Sequence, residues 1–197
     1  MLENQDFKKC RLINGFNNDE GTLEILSANG LSRNKPNITA DDFEFYLGSS
    51  LSTYLTNSND VILDSIRNEY VDWSIADDPE ADYFDIFKNM AGDYTFSCPA
   101  VMETRAHVLA AGDGGDDAGI YQYLFTHTPS VSGFAAANGT IGPSGGWLGA
   151  GHYEEVAFVF GYPFDLPRHL AGYSYIEEEK ALSLRMMTYW TNFAKTG

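Results

Sequence analysis

The chain has 197 residues, with 12 Lys and Arg against 28 Asp and Glu, for a formal net charge of −16. That balance excludes a duplex-binding surface, which needs clustered cations to neutralise phosphates, and a polybasic membrane-surface module. With 44% hydrophobic and 14% aromatic residues, the chain still has the material for a core, and its length suits one domain.

The first element read is a short strand, Cys10 to Phe16, followed by a turn-rich loop, Asn17 to Gly21. A polar stretch around Pro36 reads as an exposed loop. Thr39 is a candidate N-cap for a helix with Asp41 and Asp42 in its first turn, where carboxylates complement the helix dipole. Val61, Ile62, Ile66 and Tyr70 suit one face of a second helix. Pro79 and Glu80 are expected to open a third, with Tyr83, Phe84, Ile86 and Phe87 as its apolar surface. The next helix is capped by Ser97, carries Pro99 near its first turn, and has Gly112 past its end.

An acidic, glycine-rich turn, Asp113 to Gly119, leads into the strand Ile120 to Phe125. This strand is apolar and aromatic on both faces, as a buried central strand would be. A long glycine-rich loop, Ser130 to Gly151, precedes a short helix, Tyr153 to Phe160. The last helix runs from Ile176 to Lys195 with Leu182, Met186, Tyr189 and Phe193 on one face and Gly197 as a stop. The pattern is α/β, yet two strands leave most of a sheet unaccounted for.

Cys10 and Cys98 do not make a disulfide framework, and no Cys/His cluster reads as a metal site. No cofactor motif stands out. Cys10 is expected as a small core residue. No apolar run approaches a membrane span, and the first nine residues lack an apolar signal core.

Of the four histidines, His107 and His169 read as structural or solvated. His127, at the end of the second strand, is placed to hydrogen-bond a loop. His152 differs, because it follows the glycine-rich loop and opens a short helix, where a general base can be presented by a rigid scaffold. Glu20 is either a solvated turn carboxylate or one that orients a histidine. Gly142-Pro143-Ser144-Gly145-Gly146 matches G-x-S-x-G only formally. A nucleophile elbow needs a strand before the serine and a helix after it, and it precedes the acid in the chain. Ser144 meets neither condition.

Six stretches, in order, then resemble the C-terminal part of the type-B carboxylesterases, the cholinesterase-like α/β-hydrolases. They are Leu12-Ile13-Asn14-Gly15-Phe16-Asn17-Asn18-Asp19-Glu20-Gly21, Asp72-Trp73, the run from Gly92 to Pro99, the run from Tyr121 to His127, the run from His152 to Gly161, and the run from Met187 to Gly197. The resemblance implies the last strands and flanking helices of an α/β-hydrolase domain over residues 1–197, with an incomplete sheet. It also implies that the entire chain is a fragment of that domain. Glu20 then matches the family's catalytic acid and His152 its catalytic histidine, while the serine lies upstream of the acid and outside this chain.

The implied chemistry is two-step acyl transfer on a small carboxylic ester, without metal or cofactor. By the same resemblance the protein is secreted or at the cell surface, and Asn37-Ile38-Thr39 and Asn138-Gly139-Thr140 are glycosylation sequons. Homo-oligomerisation or membrane anchoring through other regions stays open. Cys98 resembles a cysteine paired beyond Gly197, with a buried free thiol as the alternative. Thr22 to Ser27 holds no aromatic where cholinesterases carry the aromatics that hold a quaternary ammonium by cation–π contact, which leans toward a general carboxylesterase. The rival class is a non-catalytic adhesion module like the neuroligins. Retention of both Glu20 and His152 favours the enzyme.

Overall fold

The computed structural model describes residues 6–29, 34–54, 60–112, 119–132 and 146–197. It is mixed α/β and mostly helical, with two parallel strands, β1 (Leu12–Asn17) and β2 (Ile120–Phe125). They pair in register from Leu12 opposite Ile120 to Asn17 opposite Phe125. Parallel pairing needs a long crossover, and five helices lie between the strands: α1 (Thr22–Asn29), α2 (Ala40–Tyr54), α3 (Asp60–Tyr70), α4 (Phe84–Gly92) and α5 (Cys98–Ala111). After β2 come a 3₁₀ turn (Gly146–Leu148), α6 (Glu154–Val159), a second 3₁₀ turn (Arg168–Leu170) and α7 (Glu177–Thr196).

Local chemistry explains most of the boundaries. The Thr39 hydroxyl accepts the Asp42 amide at 3.1 Å and the Asp42 carboxylate accepts the Thr39 amide at 3.0 Å, so the two residues cap α2 reciprocally. The start of α4 departs from expectation. Pro79 and Glu80 lie in a turn, and the helix begins at Phe84, whose amide is taken by Asp82 at 3.0 Å. Ser97 does not cap α5. A π-helical turn, Asp93–Ser97, joins α4 to α5 without a break, so the amides that Ser97 was expected to satisfy belong to a continuous helix. At the other end Gly112 takes φ +67°, a conformation suited to glycine, and the helix stops there.

Two apolar clusters result. One joins Ile25, Phe43, Leu47, Phe84, Phe87 and Met90 from α1, α2 and α4. The other joins Phe125 at the end of β2 to Phe158 on α6 and Met186 on α7, with Ala150 and Leu170 between them. Trp147 meets Phe84 edge-on at 5.7 Å, so the segment before His152 reaches the first cluster while Ala150 belongs to the second.

β2 is not the buried central strand expected. Tyr121 and Leu124 are about half exposed (51% and 52%), because the described sheet has only two strands and leaves part of β2 uncovered. Cys10 is exposed rather than in the core, since it precedes β1 instead of lying in it. Cys98 is exposed too, which sets aside the buried-thiol alternative. The Asp113 to Gly119 turn (apart from Gly119), Ser144 with its G-x-S-x-G match, and the Asn138 sequon lie outside the described residues. So does the part of the glycine-rich loop between 133 and 145.

Candidate active site

The strand β1 delivers its chain to a tight turn, and α1 leaves that turn at Thr22. Glu20 sits in this turn at the C-terminal end of β1, the end of a parallel sheet where ligands bind in α/β proteins. The turn presses against α4. A Cβ placed on Gly21 would lie 1.9 Å from the Lys88 carbonyl oxygen, so only glycine allows this approach.

Glu20 is buried, and each of its oxygens is engaged. Oε1 accepts the Asn17 amide at 2.8 Å, and Oε2 lies 2.7 Å from His152 Nδ1. These residues are 132 positions apart in the chain. The Asn17 side chain holds the far side of the contact: its Nδ2 donates to the Gly151 carbonyl at 2.7 Å and to Glu155 Oε2 at 2.6 Å.

His152 is reached through the 3₁₀ turn and an extended bend, and α6 begins two residues later. About a third of its side chain (31%) stays exposed. The hydrogen bond to Glu20 raises the imidazole above its ordinary value. Burial opposes that, and the charges of Glu20 and Glu155 add to the rise. The site therefore stabilises the imidazolium form. With Nδ1 committed to Glu20, Nε2 is the nitrogen left to exchange a proton. Among the described residues no hydroxyl is bonded to it.

Two further features belong to the site and escaped the sequence. Phe96, carried by the π-helical turn, stacks on the His152 ring. Tyr153, the residue after His152, has φ +77° and is the one described non-glycine residue with a positive φ. Such conformations gather at functional sites. No Pro or Gly punctuates either position, so neither carried a local signal.

The other histidines lie elsewhere. His107 is buried on α5 and packs on the Phe7 ring at 4.6 Å. His127 pairs through Nε2 with the buried Glu179 on α7 at 2.9 Å, rather than with a loop. The His169 side chain lies outside the described part. Among the described residues no cluster of three His, Cys, Asp or Glu is placed to hold a metal ion. No described helix is long and apolar enough to cross a membrane.

A buried carboxylate on one imidazole nitrogen, with the other nitrogen unbonded among the described residues, can move a proton to and from a substrate or a nucleophile. Known proteins give this geometry its context. The description of the carboxylesterase family matches residues 1–197. The chain is similar to the acetylcholinesterase of Electrophorus electricus, 30% identical over 222 residues, covering 100% of this chain and 32% of that one. It is similar also to the acetylcholinesterases of Bungarus fasciatus, 29% over 198 residues, and Danio rerio, 29% over 223 residues. In both cases all of this chain is covered, against 28% and 32% of theirs. The chain thus spans about three-tenths of the length of these relatives. It belongs to the carboxylesterase family.

Proposed function

We propose that the chain is the C-terminal part of a single α/β-hydrolase domain and supplies the catalytic acid and histidine of a serine carboxylic-ester hydrolase. The observation that carries this reading is the 2.7 Å contact between Glu20 Oε2 and His152 Nδ1 at the C-terminal end of β1. In this reading the nucleophilic serine and the oxyanion-hole donors come from sequence upstream of the acid.

Chemically, the serine hydroxyl attacks the ester carbonyl as His152 Nε2 takes its proton. The imidazolium returns that proton to the departing alcohol. Water then attacks the acyl-enzyme, with His152 again as base, and the acid product leaves. Glu20 holds the imidazole tautomer and stabilises the imidazolium through the same contact that raises its pKa. The substrate is a small carboxylic ester rather than a choline ester, because α1 places no aromatic between Thr22 and Ser27. We also place the parent enzyme outside the cell, with Asn37, exposed ahead of α2, as a glycosylation acceptor.

The test is the transcript upstream of Met1 and the protein it encodes. A Gly-x-Ser-x-Gly elbow there, and fluorophosphonate labelling of the extended protein at that serine, are the expected results. A substituted serine position would sink the reading and favour an adhesion module of the neuroligin kind. The 197-residue chain alone should not hydrolyse p-nitrophenyl acetate and should not label. Labelling at Ser144 would overturn the assignment of the nucleophile.

A further inference from the structure

The residue beside Glu20 makes contacts that the acid–histidine pair does not use. Asp19 Oδ2 accepts the Ala150 amide at 2.8 Å, and the Asp19 amide donates to the Ala150 carbonyl at 2.9 Å. Ala150, two residues before His152, is therefore gripped through both of its backbone groups. The other carboxylate oxygen, Oδ1, meets Lys88 Nζ on α4 at 2.8 Å. This pair is largely withdrawn from water, with 15% of the Lys88 side chain and 14% of the Asp19 side chain exposed. Surface ion pairs contribute little, but a charge-assisted contact in such a setting orients its carboxylate firmly.

The fit is tight on the loop side as well. Gly149 takes φ +62°, and a Cβ there would lie 2.3 Å from Asp19 Oδ2. The turn side is fixed by the Thr22 hydroxyl, which donates to the Asp19 carbonyl at 2.7 Å. Three residues of the strand end and its turn thus hold the three residues of the bend: Asn17 holds Gly151, Asp19 holds Ala150, and Glu20 holds His152. A single hydrogen bond contributes roughly 1 kcal/mol net, too little for Glu20 alone to fix a whole loop.

We propose that Asp19 is a positioning residue, whose carboxylate, oriented by Lys88, clamps the Gly149–Gly151 bend to the acid turn so that His152 meets Glu20. This rests on the reading of Glu20 and His152 as acid and base. A catalytic group displaced by about 1 Å can lose two orders of magnitude in rate, so the clamp has a function beyond stability.

The test uses the ¹⁵N-labelled 197-residue chain and two NMR readouts, hydrogen exchange of the Ala150 amide and titration of the His152 imidazole. Asp19→Ala is expected to speed Ala150 exchange about tenfold or more and to lower the His152 pKa toward its ordinary value. Asp19→Asn keeps an acceptor for Ala150 without the charge and is expected to recover much of both effects. Lys88→Met is expected to act in the same direction as Asp19→Ala, more weakly.

A folded Asp19→Ala chain with wild-type Ala150 protection and His152 titration would overturn the proposal. So would Asn proving as damaging as Ala, because that marks a charge effect rather than a clamp. Should Asp19→Ala fail to fold, unchanged Ala150 protection in Lys88→Met overturns it instead. Glu20→Gln separates the two ideas. If it leaves the His152 titration unmoved, the acid–histidine reading fails whatever Asp19 does. If it lowers the His152 pKa while Asp19→Ala does not, only the clamp fails.

Discussion

Phe96 and His152 lie face to face, with ring centroids 4.3 Å apart and planes inclined by 27°. Phe96 sits in the π-helical turn between α4 and α5, an element found often at functional sites. The stack restricts rotation of the imidazole about the bond that aims Nδ1 at Glu20. Phe96→Leu keeps apolar volume but removes the flat face. Aromatic pairs contribute roughly 0.5–1.5 kcal/mol beyond burial. On the proposed function, this variant of the upstream-extended protein should lower kcat by up to about tenfold, with KM nearly unchanged. Steady-state kinetics on a chromogenic ester measures it, and an unaltered kcat would remove Phe96 from the site.

The contact between Glu20 and His152 sets a pH dependence of known sign. The imidazole pKa in the folded protein lies above its ordinary 6.5, chiefly through the Glu20 hydrogen bond. Stability from this pair is therefore fully present below pH 6.5 and is lost as pH rises through the folded value. Urea unfolding of the wild type, compared with Glu20→Gln across this range, should show an advantage for the wild type that shrinks toward alkaline pH. On the proposed function, in which His152 is the base, the same shift bears on catalysis, because a base acts when neutral. The acidic limb of the rate profile should be half-maximal above pH 6.5. On the proposed function, Glu20→Gln in the upstream-extended protein should cut kcat by about four orders of magnitude, as loss of the orienting acid does in serine hydrolases. An unchanged profile in that variant would contradict the roles assigned to both residues.

How much of this was legible in the sequence differs from residue to residue. Thr39 with Asp42, and Gly112, mark helix ends through local chemistry, and the structure has helix ends there, whereas Pro99 lies in a helix that continues from α4 through the π turn. The π turn has no such marker, since a shift from four- to five-residue hydrogen bonding depends on what packs against it. Pro79 misled for the opposite reason: a strong local signal was overridden by Asp82 taking the Phe84 amide. The exposure of Tyr121 and Leu124 was illegible because composition reports the surroundings a strand suits rather than those it has. No local pattern joins residues 132 positions apart. Motif order singled out Glu20 and His152, while Asp19, inside the same motif, passed as a turn residue.

A second buried carboxylate governs stability away from the site. Glu179, in the first turn of α7, accepts the Ser130 amide at 2.6 Å, the Ser130 hydroxyl, the Ile176 amide at 3.0 Å, and His127 at 2.9 Å. Burial alone would raise its pKa, but the bonds from Ser130, His127 and Ile176 outweigh that and hold it below its ordinary 4.5. The sign is opposite to that of His152. Its stabilisation is present above pH 4.5 and is lost as pH falls through the lowered value. Glu179→Gln should cost about 1–3 kcal/mol at neutral pH, since charge-assisted bonds are lost and donors are left short of an acceptor. The difference from wild type should shrink in acid. Equal urea midpoints at pH 7 would show the network to be unimportant.

The backbone on either side of His152 makes a paired prediction. Tyr153 takes φ +77° and Gly149 takes φ +62°, so one residue suits this conformation and the other does not. A side chain in the left-handed region costs roughly 1–2 kcal/mol, and glycine returns about 0.5–1 kcal/mol of that through its freer unfolded chain. Tyr153→Gly should therefore stabilise the fold by up to about 1 kcal/mol, because the tyrosine is mostly exposed and forfeits little burial. Gly149→Ala meets the same left-handed cost and also drives a methyl into the Asp19 carboxylate. Its expected loss is about 2 kcal/mol or more, with His152 displaced from Glu20 in the process. Thermal unfolding of both variants decides the matter. If Tyr153→Gly destabilised the fold, the tyrosine ring would have to contribute more than its strained backbone takes away, and its contact with His152 at 6.0 Å would be the place to look.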